Sequence, residues 1–428
     1  MTESSLTVSD SVMREVRDMA YDARISSRAL ARADTAWKNR GLQAIAEDLV
    51  EQSSVILAQN ADDVHRERAN GMSEAMLDRL SLNPQRIQEL ADSLHALVGL
   101  ADPVGQVIRG TTLDNGLRMV QARVPLGVVG AIYEARPNVT VDIAGLAIKS
   151  GNAVMLRGGS AAAKTNQTIS RIIRAALDRC GLPMDCVQSV DEFGREGANA
   201  LMLASGAIDV LIPRGGHNLI QSVVKNARVP VIETGEGNCH IFVDVSASEK
   251  MAKDILVNAK TQRPGTCNTV ETLLLAEGSS AAPAVLKALA QVGVTLHVDE
   301  RTSARLPAGI EYVQATEEDF HTEYGSLDLA VATVDDVDAA ISHIRRYSTG
   351  HSEAIITNSL DHAEKFIQEV DSAAVYVNAS TRFTDGGQFG LGAEVGISTQ
   401  KLHARGPMGL EQLTTSKWIV RGDGQTRR

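Results

Sequence analysis

The sequence predicts an α/β protein with two doubly wound lobes, accompanied by a β-hairpin. Three observations lead to this prediction. From residue 124 onward, apolar strand-like runs alternate with amphipathic helical segments, which is typical of parallel sheets covered by helices. The alternation passes through two successive cycles, and a chain of 428 residues is too long for one ordinary core. Before it, an Asn-Gly pair separates two runs of alternating polarity, which is a strong hairpin signal.

Composition and charge exclude several classes of function. Aromatic residues make up only 3% of the chain and the formal net charge is −11, whereas nucleic-acid binding relies on stacking side chains and basic surfaces. The longest apolar run is roughly half the ~20 residues that a membrane-spanning helix needs, and no signal peptide is indicated. Four cysteines without a C-x-x-C pair predict neither a disulfide framework nor a metal site. We therefore expect a cytoplasmic protein without nucleic-acid, membrane or metal partners.

The elements follow in order along the chain. Between about Ser9 and Leu100, apolar residues recur at three- and four-residue spacing among charged residues, which predicts helices. The hairpin then turns at Asp114, Asn115 and Gly116. The first cycle consists of strands at 126–133, 152–159, 208–216 and 229–235, with helices at 141–151, 160–181 and 217–227. The second has strands at 239–246, 270–277, 327–334, 353–358 and 373–378, with helices at 248–260, 280–293, 334–348 and 361–370.

Cys267 is the first candidate for chemistry. It follows a break at Pro264 and Gly265, between a predicted helix and an apolar strand. A free cysteine is often a buried small hydrophobe, whereas a thiol on a loop at the end of a structural element is positioned as a nucleophile. Asn268 adds an amide that could donate to a developing oxyanion. On sequence context alone, both interpretations of the thiol stay open.

Glu233 is the second candidate. It comes at the C-terminal end of the predicted strand 229–235, where a carboxylate points into the ligand crevice of a parallel sheet. The alternative is a glutamate on a solvated surface loop. Cys239 begins the next predicted strand, and we expect it to pack in the core.

Several segments together resemble the gamma-glutamyl phosphate reductase family, which belongs to the aldehyde dehydrogenase superfamily. The resemblance runs from about Val12 to Val420, and its motifs are specific as a set. They are IYEARPNVTVD at 132–142, LRGGSAAAKTN at 156–166, LIPRGG at 211–216, PVIETGEGNCHIFVD at 230–244 and NAKTQRPGTCN at 258–268.

The resemblance implies an aldehyde dehydrogenase-like fold with three parts. A cofactor-binding domain would comprise 1–105 and 125–238, and a catalytic domain would comprise 239–409. The hairpin at 106–124 and a C-terminal strand within 410–428 would form an oligomerisation element. In the superfamily such a hairpin pairs with the C-terminal strand across subunits, so the resemblance implies a homo-oligomer.

The resemblance also implies a reaction: NADPH-dependent reduction of L-glutamate 5-phosphate to the semialdehyde and phosphate, in proline biosynthesis. Cys267 matches the nucleophile, which displaces phosphate and forms a thioester that accepts hydride. The Cys267 backbone N–H and an amide such as that of Asn138 would stabilise the tetrahedral intermediates. Glu233 aligns with the general base of hydrolysing aldehyde dehydrogenases. Because this reaction needs no activated water, a base role for Glu233 stays open.

The implied cofactor site differs from the common dinucleotide motif, because no G-x-G-x-x-G is present. Glycines let the backbone approach phosphate, and N–H groups at a helix start favour anions. Relatives that prefer NAD place a carboxylate near Ser160, so its absence beside Arg157 suits the 2′-phosphate of NADPH. The alternative for Arg157 is a solvated loop arginine. The matching positions are Arg157, Gly158, Gly159, Ser160, Arg214, Gly215 and Gly216, together with Glu323, which resembles the glutamate that orients the nicotinamide ribose.

Two loops, at 347–358 and 378–399, look like segments that close around the substrate. Ser380 and Arg382 in the second loop, and Arg136 in the EARPN segment, are candidates for binding the α-carboxylate or the phosphate. For each arginine the alternative is an ordinary surface salt bridge.

Two rival functions stay open. A generic aldehyde dehydrogenase would oxidise an aldehyde to a free acid, and phosphate dependence of the oxidative direction would separate it from a reductase of acyl phosphates. A non-catalytic scaffold is the second rival, but the thiol and the glycine loops are both present. The resemblance further implies channelling of L-glutamate 5-phosphate from glutamate 5-kinase.

Overall fold

The computed structural model describes residues 6–134 and 136–427, and the chain divides into two compact units. Residues 1–5 and 428, where the expected domain ranges begin and end, lie outside the described residues. Unit 1 comprises Met1–Glu233, Gly390–Gly396 and Met408–Arg428, and unit 2 comprises Thr234–Phe389 and Ile397–Pro407. The hairpin and the segment 390–396 are thus part of unit 1. The functional assignment of the expected domains stays a prediction.

Unit 1 begins with the helices that the three- and four-residue spacing predicts. Side-chain caps mark the starts of two of them: Asp34 accepts a hydrogen bond from the backbone N–H of Trp37 at 2.7 Å, and Asn83 accepts one from that of Arg86 at 2.8 Å. Pro84 occupies the first turn of the helix that follows Asn83, where its missing N–H costs nothing. The helices are α1 (Asp10–Leu30), α2 (Thr35–Glu51), α3 (Ser53–Ala69), α4 (Glu74–Leu80) and α5 (Pro84–Gly99). No helix among the described residues is long and apolar enough to cross a membrane.

A hairpin and a parallel sheet complete most of unit 1. The elements are β1 (Val107–Thr112), β2 (Arg118–Pro125), β3 (Val128–Tyr133), α6 (Pro137–Lys149), β4 (Ala153–Arg157), α7 (Ala163–Arg179), β5 (Val187–Ser189), α8 (Gly194–Leu203), β6 (Val210–Arg214) and α9 (His217–Asn226). The sheet has the order β5-β4-β3-β6 and all its pairs are parallel, which confirms the predicted sheet type. Every residue of β3 is buried.

The predicted strand 229–235 is wrong. Only an isolated bridge joins Val231 to Leu211 of β6. Pro230 has no backbone N–H to donate, and the chain passes at Thr234 from unit 1 to unit 2. Glu233 therefore follows a single bridged residue instead of a strand.

Unit 2 contains a seven-stranded parallel sheet in the order β10-β9-β11-β8-β7-β12-β13. Its two faces bury alternate residues of β8: Leu273 and Leu275 pack in one core cluster, and Leu274 and Ala276 in the other. The elements are β7 (Cys239–Val243), α10 (Glu249–Thr261), β8 (Val270–Ala276), α11 (Ala282–Gln291), β9 (Thr295–Val298), α12 (Glu300–Ser303), β10 (Val313–Gln314), β11 (Asp328–Val334), α13 (Val337–Tyr347), β12 (Ser352–Ile356), α14 (Leu360–Glu369), β13 (Ala374–Val377), β14 (Ile397–Ser398) and β15 (Gly406–Pro407).

The last strand, β16 (Thr414–Arg421), belongs to unit 1 and extends the hairpin. It pairs antiparallel with β2 of the same chain over its whole length, with Trp418 opposite Gln121. The pairing expected across subunits is therefore made within the chain. Each residue of β1 is exposed, and Val107 retains 63% of its accessible surface. This leaves β1 at the edge of the three-stranded sheet.

Candidate active site

The carboxyl ends of three neighbouring strands in unit 1 bring the expected cofactor loops together. Arg157 at the end of β4 lies opposite Ile132 of β3, and Arg214 at the end of β6 lies opposite Tyr133. The first loop leads into a short 3-10 helix, Ser160–Ala162, and the second into α9. Ligands of open parallel sheets bind at this edge, where helix starts present N–H groups.

Asp191 holds the loop that carries Arg157. Its Oδ1 accepts a hydrogen bond from the Gly158 N–H at 2.6 Å, and burial raises the pKa of Asp191 to about 6. Arg157 Nε donates to the Gly194 carbonyl at 3.2 Å. Burial lowers the pKa of Arg157, and the negative charge of Asp191 opposes this shift. Within the described residues, the two terminal nitrogens of Arg157 make no hydrogen bond. These two nitrogens are therefore free to bind an anion.

The rest of the loop is fixed by its neighbours. A Cβ at Gly158 would lie 2.0 Å from Asn166 Nδ2, so this position is restricted to glycine. Arg66 donates to the carbonyls of Ser160 and Ala161 at 3.1 and 2.9 Å, and the Ser160 side chain is exposed.

Arg214 has a different role from the one expected of an open phosphate ligand. Its Nη1 donates to the carbonyls of Val395 and Glu394 at 2.6 and 3.3 Å, so the guanidinium holds the segment 390–396. At the start of α9, Gly216 N–H donates to Glu134 Oε1 at 3.1 Å. The Gly216 N–H group is therefore already hydrogen-bonded to a carboxylate of the chain itself.

The other expected site residues of unit 1 have local partners. Asn138 Nδ2 lies 3.2 Å from Asp142 Oδ2, and burial raises the pKa of Asp142 to about 6. Glu233 Oε1 accepts from Gln221 Nε2 at 3.2 Å. Arg136 precedes α6 as its N-terminal cap residue. All three belong to unit 1, whereas Cys267 belongs to unit 2.

Cys267 lies half-buried on the loop between α10 and β8, at the amino end of β8. Its carbonyl oxygen accepts a hydrogen bond from Cys239 Sγ at 3.2 Å. A Cβ at Gly237 would lie 1.3 Å from the same carbonyl oxygen, so the chain preceding β7 packs directly on the Cys267 peptide. Glycine at 237 and the thiol of Cys239 thus fix the backbone of the candidate nucleophile.

Arg382 lies against the Cys267 loop. Its Nη1 donates to Thr266 Oγ1 at 2.7 Å and its Nε donates to Gln262 Oε1 at 2.8 Å. Burial lowers the pKa of Arg382, and the negative charge of Cys267 opposes that shift. A guanidinium this close favours the thiolate form of a cysteine.

The neighbouring polar groups hold the loop 380–384 in place. Ser380 is buried, and its Oγ accepts from the Arg382 N–H at 3.3 Å. Asn268 Nδ2 donates to the Thr384 carbonyl at 2.9 Å, and the Asn268 carbonyl accepts from Thr381 Oγ1 at 2.7 Å. The Asn268 amide is therefore engaged with this loop, which leaves the oxyanion role expected for it without support.

Glu323 is half-buried on the loop that leads to β11. Burial raises the pKa of Cys239 well above its usual value, and the negative charges of Glu353, Cys267 and Glu323 add to this effect. Cys239 therefore stays a neutral thiol. Glu323, Cys267 and Gly237 precede three strands of one sheet, so the candidate site of unit 2 lies at the amino ends of its strands.

Cys239 is fully buried, as expected for core packing, and it contacts the Cys267 peptide. Sequence reasoning missed three other residues: Gly237, which packs on the same peptide, and the buried pair of Lys260 and Glu271, which lies on either side of the Cys267 loop. The sequence signal that could have revealed the pair is a charged residue at a buried position in each of two neighbouring elements: Lys260 in the helix α10 and Glu271 in the strand β8. Across the described residues, no group of three His, Cys, Asp or Glu side chains is arranged to hold a metal ion.

A family model and the curated relatives of this chain agree on the family to which it is similar. A model of the aldehyde dehydrogenase family matches residues 7–310 and 324–419. The gamma-glutamyl phosphate reductase of Leifsonia xyli subsp. xyli is 57% identical over 419 residues, which cover 97% of this chain and 99% of that protein. That of Thermobifida fusca is 54% identical over 418 residues, with the same coverage.

Solved structures agree with the sequence relatives. The crystal structure of gamma-glutamyl phosphate reductase from Thermotoga maritima is similar with a TM-score of 0.93 at 46% identity, covering 97% of this chain and 100% of that one. An acetylating aldehyde dehydrogenase from Geobacillus thermoglucosidasius, at 18% identity and a TM-score of 0.72 over 98% of both chains, shares the fold.

Proposed function

Because the chain belongs to the gamma-glutamyl phosphate reductase family, within the aldehyde dehydrogenases, we propose that it reduces L-glutamate 5-phosphate with NADPH. The products are L-glutamate 5-semialdehyde and phosphate, in proline biosynthesis. The observation that carries the proposal is Cys267, a half-buried thiol on a loop with the guanidinium of Arg382 beside it. This is the setting in which a thiolate attacks an acyl group.

Cys267 acts as the nucleophile in the proposed mechanism. The thiolate attacks the acyl carbon of the substrate, the bond to the phosphate oxygen breaks, and phosphate leaves with the electron pair. The resulting thioester is reduced to a thiohemiacetal, which collapses to the semialdehyde and restores the thiolate. Oxygen-bound negative charge develops twice, and the Cys267 N–H and the Asn138 amide are the proposed donors to it.

The loop at 157–160 fits a dinucleotide with a 2′-phosphate. The terminal nitrogens of Arg157 and the exposed hydroxyl of Ser160 are both free to bind phosphate oxygens. When bound, NADPH supplies the hydride that reduces the thioester. Gly158 and Gly159 allow close approach of the backbone, as Gly215 and Gly216 do in the second loop, and Glu323 orients the nicotinamide ribose. Arg214 contributes by holding the segment 390–396.

The proposed substrate contacts come from Arg382, Ser380 and Arg136. Arg382 reaches Thr266 next to the nucleophile, which supports a contact with the departing phosphate or the α-carboxylate. Its two hydrogen bonds to side chains use Nε and Nη1 and leave Nη2 for a ligand. Glu233 has Gln221 as a partner and no step of the reaction requires it as a base, so its proposed role is auxiliary.

One assay distinguishes an enzyme that reduces an acyl phosphate from one that oxidises an aldehyde to a free acid. With L-glutamate 5-semialdehyde and NADP⁺, formation of NADPH should require inorganic phosphate, because phosphate releases the acyl group from Cys267. Arsenate should replace it. NADPH formation at an undiminished rate without either anion would favour the hydrolysing aldehyde dehydrogenase.

We further propose a cytoplasmic homo-oligomer that receives its labile substrate directly from glutamate 5-kinase. The four cysteines are free thiols, which suits a reducing compartment. The exposed apolar side chains of the three-stranded sheet, including Val107 and Trp418, support an interface there. Light scattering that gave a monomer at micromolar concentration would refute the oligomer.

A further inference from the structure

A buried ion pair in unit 2 connects segments of the proposed active site. Lys260 lies in the last turn of α10 and Glu271 lies in β8, and both side chains are fully buried. Lys260 Nζ lies 2.6 Å from Glu271 Oε2. Neither residue has a place in the proposed chemistry.

The pair closes the loop that carries Cys267. This loop spans 262–269, so Lys260 lies two residues before its first residue and Glu271 lies two residues after its last. Besides its contact with Glu271, Lys260 Nζ donates to the Val270 carbonyl at 3.0 Å. One ammonium group therefore bonds to both residues that follow the loop, so its two ends cannot separate without breaking a buried charge pair.

The second oxygen of Glu271 reaches the loop that carries Glu323. Glu271 Oε1 accepts a hydrogen bond from the Gly325 N–H at 3.3 Å. Gly325 has a φ of 62°, in the left-handed region that favours glycine. Lys260 Nζ also lies 5.9 Å from the centre of the Tyr324 ring. The residues that follow Glu323 thus lie against the same ion pair that closes the Cys267 loop.

Stability alone is a weak reason for this pair. Burial raises the pKa of Glu271 to about 7 and lowers that of Lys260, and in each case the partner's charge opposes the shift. Both charges therefore lose favourable hydration on folding. Replacing a buried ion pair by apolar residues of similar volume is often neutral or stabilising.

We propose that Lys260 and Glu271 are positioning residues that hold the Cys267 loop and the Glu323 loop in a single arrangement. The pair fixes the nucleophile and the glutamate of the cofactor site relative to each other, within one unit of the protein. This inference depends on the proposed function for the roles of Cys267 and Glu323, but not for the geometry of the two loops.

The test replaces both charges together in the full-length protein. The double variant K260M/E271L should keep a melting temperature close to that of the wild type. Because a misplacement of about 1 Å can cost about 100-fold in rate, its kcat/KM for NADPH-dependent reduction should fall by at least roughly tenfold. The rate at which iodoacetamide alkylates Cys267, followed by peptide mass spectrometry, should also change. The double variant K250M/D254L, which removes an exposed pair from the same helix, is the matched control and should behave as wild type.

A second variant decides the matter if K260M/E271L does not fold. Glu271→Gln keeps the side-chain volume but replaces one carboxylate oxygen by an NH₂ group, so either the contact with Lys260 at Oε2 or the one with Gly325 at Oε1 loses its acceptor. It should show the same loss of kcat/KM, a higher KM for NADPH and an altered alkylation rate. A folded variant with wild-type kinetics and a wild-type alkylation rate would overturn the proposal. Failure of the wild type to reduce glutamyl phosphate would instead refute the proposed function, and the alkylation rates would still report on the loops.

Discussion

Removal of the Arg157 side chain should change the choice between NADPH and NADH. The two terminal nitrogens of this guanidinium have no partner within the described residues, and no acidic side chain stands at position 160. A hydrogen bond to a charged group contributes about 1.5–3 kcal/mol. Since 1.4 kcal/mol corresponds to about tenfold, Arg157→Ala should raise the KM for NADPH by roughly ten- to a hundredfold.

The structure also gives this variant a background effect on both cofactors. Arg157 Nε holds the Gly194 carbonyl at 3.2 Å, and loss of such a bond costs about 0.5–1.5 kcal/mol. This cost affects NADPH and NADH equally, so only the ratio of their kcat/KM values reports on the 2′-phosphate. Lys164 is bound to Asp62 at 2.8 Å, and Lys164→Ala should therefore change that ratio much less.

Steady-state kinetics of the wild type, Arg157→Ala and Arg157→Lys with both cofactors test the reasoning. The lysine variant keeps the charge and should retain part of the preference for NADPH. An equal loss with the two cofactors in Arg157→Ala would mean that the guanidinium only supports the loop. A wild type that prefers NADH would remove the basis for the prediction.

Three further variants test separate parts of the site. Gly237→Ala should abolish activity, because its Cβ would lie 1.3 Å from the Cys267 carbonyl oxygen; normal turnover would show that this contact is not needed. Asp191→Asn should become more stable relative to wild type as the pH rises. Folding raises the pKa of Asp191 from 3.8 to about 6, so the wild type loses stability as the pH rises from about 4 through 6. If the difference in melting temperature between Asp191→Asn and the wild type were the same at pH 4 and pH 7.5, this prediction would be contradicted. Glu233→Gln should keep most of the phosphate-linked activity, and complete loss with intact NADPH binding would assign Glu233 an essential role.

Much of the fold is predictable because burial leaves a clear pattern in the chain. The strand β3 is buried at every position and appears as a continuous apolar run, and β8, also buried throughout, is apolar except at Glu271 and Thr272. The strand β5 has only three residues and leaves too short a pattern. The segment after Val229 is apolar enough to resemble a strand, but Pro230 limits its pairing to one bridge.

The candidate site is predictable only where a residue type itself carries chemistry. Cys267 and Arg157 are found from motifs, whereas the engagement of Arg214 with the carbonyls of 394 and 395 depends on contacts far apart in sequence. The same is true of Gly237, whose restriction comes from the carbonyl of a residue on another loop. Such constraints follow from tertiary packing, which local patterns do not encode.

The thioester on Cys267 is tested most directly by mass spectrometry of the enzyme mixed with freshly generated L-glutamate 5-phosphate in the absence of NADPH. The wild type and Cys186→Ala, whose thiol is buried in unit 1, should gain the mass of one glutamyl group on the peptide that contains Cys267. The adduct should disappear when NADPH is added, and Cys267→Ala should form none. Reduction of the substrate by Cys267→Ala, or an adduct on another residue of a fully active wild type, would contradict a mechanism through this cysteine.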